Sequence, residues 1–114
     1  MTETFYADRD NEREITMQMR DDDTDELRDL TEAEMSAITK VEIHYDDTYY
    51  DSDTYASGFD WTTYASSAKL VLKLGNILPV GRDRKAELII YDAIHTNGIV
   101  WDQMDIKVSD EAEV

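Results

Sequence analysis

In four stretches after Thr39, apolar residues recur at every second position, and that period predicts strands. In Val41-Glu42-Ile43-His44-Tyr45, the residues Val41, Ile43 and Tyr45 share one face. From Ala68 to Leu74, the residues Ala68, Leu70, Leu72 and Leu74 point one way and Lys69, Val71 and Lys73 the other. Gly75-Asn76 ends this strand, and Pro79 and Gly81 punctuate a loop that runs through Arg84. A third strand is predicted over Ala86–Asp92, apolar on both faces at its centre. A fourth follows over Ile99–Val108. Between them lies Asn97-Gly98, a dipeptide that turns hairpins because both residues tolerate positive φ. The phase of the fourth strand slips near Asp102, which predicts a β-bulge at Trp101–Gln103.

Upstream the pattern changes. Residues 24–38 carry a narrow helical stripe, Leu27, Leu30, Met35 and Ile38, and two start signals. One is Asp23 with Glu26; the other is the capping box Thr31-x-x-Glu34. One or two short helices are expected. Residues 46–67, rich in Asp, Ser, Thr and Tyr, predict a long polar loop with a short strand near Phe59–Thr63. The expected fold is mainly β: a small antiparallel β-sandwich or barrel with an N-terminal extended arm and a short helix. Four strands are few for a sandwich, so one or two more are expected from residues 10–20 or 55–65, or one from a neighbouring subunit.

Charge sharpens the division of the chain. The 114 residues carry a formal net charge of -16, from 27 acids and 11 bases. Residues 1–60 hold 19 acids and 5 bases, net -14, and residues 61–114 hold 8 acids and 6 bases, net -2. Residues 1–23 are therefore read as an extended acidic arm, and residues 24–114 as a single β-rich domain. Low hydrophobicity with high charge does not offset the entropy of ordering. Yet Ile15, Met17 and Met19 alternate, so part of the arm is suited to be laid down as a strand on a partner. The acidic tail 109–114 is expected to fray. No basic stripe is present to displace counterions, so no direct contact with nucleic acid is expected. Residues 1–30 hold no apolar run suited to a signal peptide, and no apolar stretch is long enough to cross a bilayer.

Candidate chemistry is sparse. There are no cysteines, which removes disulfides, thiolate metal sites and thiol nucleophiles. No nucleophile elbow, P-loop or dinucleotide-binding glycine motif occurs, so no catalytic residue and no cofactor is assigned. Asp46, Asp47, Asp51, Asp53 and Asp60 raise the question of calcium. An EF-hand frame from Asp51 fails at its sixth position, Ala56, and its twelfth, Thr62. His44 and His95 have no metal-ligand spacing and are expected at the surface. The unusual feature is aromatic: Tyr45, Tyr49, Tyr50, Tyr55, Phe59, Trp61 and Tyr64 lie among Ser, Thr and Asp. That composition suits an adaptable binding surface, and equally one face of a twisted strand packed on a core. Ile15, Met17, Met19, Tyr49, Tyr50, Tyr55, Phe59 and Trp61 are the candidate partner-binding residues.

The segments Lys69–Gly75, Ala86–Asp92 and Asn97–Trp101 together resemble small proteins encoded among the virion genes of tailed bacteriophages. The resemblance covers about the C-terminal 40% of the chain. It implies a capsid, neck (head-tail connector) or tail accessory component, assembled in the host cytoplasm and resident in the virion, whose partners are proteins present in multiple copies. No functional residue carries over from it. The charge supports a rival expectation, an acidic mimic of nucleic acid that occupies the basic groove of a DNA- or RNA-binding protein. Acidity as salt adaptation fits less well, because the C-terminal half is nearly neutral.

Overall fold

A computed structural model describes residues 2–21 and 23–110. In chain order it contains strands β1 (Thr2–Tyr6), β2 (Arg13–Thr16), β3 (Gln18–Arg20) and β4 (Leu27–Asp29), helix α1 (Glu32–Ser36), and strands β5 (Ile38–Tyr45), β6 (Thr48–Asp51), β7 (Phe59–Asp60), β8 (Lys69–Leu72), β9 (Gly81–Asp92) and β10 (Ile99–Ser109). Two 3₁₀ turns, Ala56–Gly58 and Ala65–Ser67, flank β7. The protein is mainly β, a small domain of several sheets. Met1 and Asp22 of the expected arm, and residues 111–114 of the expected tail, lie outside the described residues.

The main sheet has five strands in the order β1-β10-β9-β5-β6. All its neighbours are antiparallel except β1, which runs parallel to β10. A second sheet, β2-β8-β7, supplies Leu70, Leu72 and Phe59 to the same apolar core as Val41, Ile43, Tyr45, Leu88, Ile90, Ile106 and Val108 of the main sheet. The alternation predicted for β5 and β8 therefore points into one shared interior. The β9–β10 hairpin forms with Gly98 at φ +79. Its register shifts between Val100 and Asp102, which leaves Trp101 as the extra residue and lets Ile99 and Met104 both pack on the core.

Several local expectations give way to longer-range pairing. Of the helical stretch, only Glu32–Ser36 is α-helix, started by the Thr31–Glu34 capping box with both reciprocal bonds made. Arg28 reinforces it through Glu34, at 2.7 Å, and holds the Glu34 carboxyl down to about 2. The Asp23–Glu26 signal starts no helix: Leu27–Asp29 pairs instead with Gln18–Arg20 as the two-stranded sheet β3-β4. Strand β9 begins at Gly81, five residues earlier than Ala86, because β10 extends beside it to Gly81. The hairpin β5–β6 turns on Asp46-Asp47, both at positive φ. An aspartate pair reaches that geometry less readily than Asn-Gly, which is why the pattern of residues 46–67 reads as loop.

The first twenty residues do not hang free. Strand β1 adds to the edge of the main sheet, with Phe5 paired to Val108, and β2 pairs with β8 through Ile15 and Leu70. Phe5 and Met17 are wholly buried. The backbone crosses so close to β8's end that a Cβ at Gly75 would collide with the carbonyls of Tyr6 and Arg9. Of the acids of this segment, Asp8, Asp10, Glu12 and Glu14 stay exposed and Glu3 is half-buried beside Arg13, while its few large apolar side chains anchor it. Replacing Phe5→Ala is expected to cost about 3–5 kcal/mol. Urea denaturation checks this as a lower midpoint at unchanged slope; a loosely attached segment would leave the midpoint where it is.

Candidate binding face of the main sheet

Directly opposed residues of an antiparallel pair share a face, so the registers define what the main sheet presents away from the core. One row runs Asp51, Glu42, Ile89, Val100, and the next runs Tyr49, His44, Glu87, Gln103; Lys40 lies opposite Tyr91. Ile89 is buried, at 8% exposure, yet stands outside the core cluster, as a residue of this outer face must. Tyr49 and Val100 are 57% and 53% exposed.

The centre of this face is Glu42, the one buried carboxylate among the described residues. The Tyr91 hydroxyl donates to its Oε1 at 2.7 Å. That bond, together with burial beside the carboxylate's charge, pushes the Tyr91 pKa up to about 12. Tyr91 is held from other sides too. The Lys40 ammonium sits 4.2 Å from its ring centroid, and a Cβ at Gly98 would come within 2.8 Å of the ring. Only glycine fits there, for space and for φ. Tyr49 stacks on His44 with ring centroids 4.1 Å apart and planes within 6°, and His44 Nδ1 lies 3.3 Å from Glu87. Between Tyr49 and Tyr91 the surface dips into a depression of about 480 Å³, bounded by Glu42, Ile89, Gly98 and Val100. A second, of about 590 Å³, lies further along, lined by His44, Lys85, Glu87 and Gln103 and by the turn residues Asp46 and Asp47.

The candidate residues read from the sequence separate. Tyr49 lies on the outer face. Tyr50, its neighbour on the pleat, points the other way, packs against the core and meets Tyr55 at a centroid distance of 5.6 Å. Phe59 is buried in the core, and Trp61 is half-buried against it. Met17 is in the core, Ile15 is half-buried on β2, and Met19 packs on the core, its Sδ 3.2 Å from the Arg28 guanidinium. Met17 and Phe59 thus present nothing to a partner: alternation that suits a strand on a foreign sheet equally suits a strand on the protein's own. Tyr45 is wholly buried as well, and burial raises its pKa. Sequence reasoning missed Glu42, Ile89, Tyr91 and Val100. The signal was there in β9, whose centre is apolar on both faces and so needs cover on two sides.

Among the described residues no group of three or more His, Asp or Glu converges as a metal site, and no helix is long and apolar enough to cross a membrane. No protein-family model, no curated protein and no solved structure matches this chain.

Replacing Tyr91→Phe removes the donor to a buried carboxylate and is expected to destabilise the fold by about 1–3 kcal/mol. The pH dependence has a definite sign. Tyr91 ionises near 12 in the folded chain against 10 as the ordinary value, so its contribution is complete below pH 10 and is lost as pH rises through 12. Urea midpoints measured from pH 9 upward fall more steeply for the native chain than for Tyr91→Phe.

Proposed function

We propose that this protein acts by binding, as a virion accessory component that docks on a capsid, neck or tail assembly through the outer face of its main sheet. The observation that carries this is the uncovered face itself, with exposed Tyr49 and Val100 beside half-buried Tyr91 and buried Ile89. Aromatic and aliphatic groups of this kind, ringed by charge, are what a protein interface buries at its centre. The placement in a virion rests on the resemblance of the C-terminal strands to tailed-phage virion proteins. The N-terminal segment supports docking indirectly, by completing the sheet, and its acids add to the negative field around the face. A partner with a basic contact surface fits that field.

A nucleic-acid mimic calls for carboxylates along one stripe. Here Asp46 and Asp47 sit beside β6 and Asp8 and Asp10 follow β1, at opposite edges of the sheet. Four strand spacings separate those edges, roughly 19 Å. Charge that surrounds a molecule favours solubility and steering over imitation of a single backbone.

The test is incorporation. Virus particles carrying the gene are purified and their content of this chain measured, for native protein and for Tyr49→Ala and Val100→Lys. Both variants are expected to fold with unchanged unfolding midpoints and to fall at least about tenfold in incorporation. A native chain absent from particles, or incorporation indifferent to both substitutions, refutes the reading.

A further inference from the structure

We infer that the depression between Tyr49 and Tyr91 is a slot for a cationic side chain, the guanidinium or ammonium of an arginine or lysine on a protein partner. The inference rests on the docking reading above and specifies what the face recognises. Its floor is Glu42. One carboxylate oxygen is taken by the Tyr91 hydroxyl; the other has no donor among the described residues and is not sealed from solvent. A carboxylate that is 7% exposed, with an acceptor left open toward a depression, is placed to receive a charged donor. The walls suit the same group. Tyr49 uses one ring face against His44 and remains 57% exposed. Tyr91 already holds a cation, Lys40, over its ring, which is the geometry that an aromatic quadrupole favours. Ile89 and Val100 form an apolar lip against which the methylene stem of a long basic side chain can lie. The net charge of -16 draws basic groups toward the protein, and the slot selects among the places where one can settle.

Gly98 is the positioning residue. Its lack of a side chain lets the β9–β10 turn lie against Tyr91 and Ile89, beside the Tyr91 hydroxyl that donates to Glu42.

The experiment is an amide chemical-shift titration of the full chain with N-acetyl-arginine amide, and with its neutral isostere N-acetyl-citrulline amide. Arginine is expected to shift Glu42, Tyr49, Ile89, Tyr91, Gly98 and Val100 together, with weak millimolar affinity that falls as salt rises. Citrulline, and arginine against Glu42→Gln, are expected to bind at least about tenfold more weakly. The glutamine keeps the size and the acceptor for Tyr91, so the fold is preserved. Equal shifts with citrulline, retained arginine binding in Glu42→Gln, or shifts scattered over Asp8–Glu14 and Asp23–Asp29 without the slot overturn the inference. The incorporation assay separates the two claims. If Val100→Lys abolishes incorporation and Glu42→Gln leaves it intact, the face docks and the slot holds no cation. If neither matters, the docking reading itself fails.

Discussion

The structure depends on the two-sided burial of β9. This strand is the middle of the five in the main sheet, and its alternate residues serve two environments. Leu88 and Ile90 enter the core; Ile89 and Tyr91 face outward. The inner set binds the main sheet to the second sheet. The outer set has no second layer over it and is covered by its own neighbours, Val100, Gly98 and the pair of Tyr91 with Glu42. A central strand that is apolar on both faces obliges the protein to solve the same problem twice. On the outer side the solution is incomplete, and that incompleteness is what makes the face a candidate for binding.

Charge is accommodated by segregation. A net charge of -16 on 114 residues opposes compaction, yet among described carboxylates all but Glu42 reach solvent. The surface ion pairs, such as Arg84 with Asp46 at 3.0 Å, are exposed and contribute little each. What holds the acidic front of the chain is not neutralisation of its charge but a few apolar anchors. Phe5 beside Val108 and Met17 in the core each bury a full side chain, and burial on that scale stabilises by about 1.5–3 kcal/mol apiece. The acids between them remain hydrated and need no partner.

Much of the scaffold was readable in the residues. The strand character of β5, β8 and β10, the hairpin at Asn97-Gly98, the bulge at Trp101 and the capping box at Thr31 all follow from local rules that act within a few residues. Other features were not readable for reasons of the same kind. Leu27 and Leu30 fit a helical stripe, but Leu27–Asp29 gains a cross-strand partner in Gln18–Arg20, seven to eleven residues away. The aromatic run from Tyr45 to Tyr64 read as one unit, a binding surface or a single core face, because composition does not record the pleat. Tyr49 and Tyr50 are adjacent and part to opposite faces, and Phe59 follows the core. Of the candidate site, only Tyr49 was named from the sequence, because the rest of it comes from strands far apart along the chain.

By itself, then, the sequence determined the class of fold, the acidity of the surface and the β9–β10 hairpin, since each is a matter of local period, composition or φ. Only the tertiary structure decided that the acidic front is built into the sheets, which side of β9 meets the core, and that Glu42 lies buried beneath a tyrosine. The physical reason is register. A period of two assigns each side chain to a face, but which residues stand beside one another is set when distant strands pair, and burial, hydrogen bonding and the shape of the exposed face follow from that pairing.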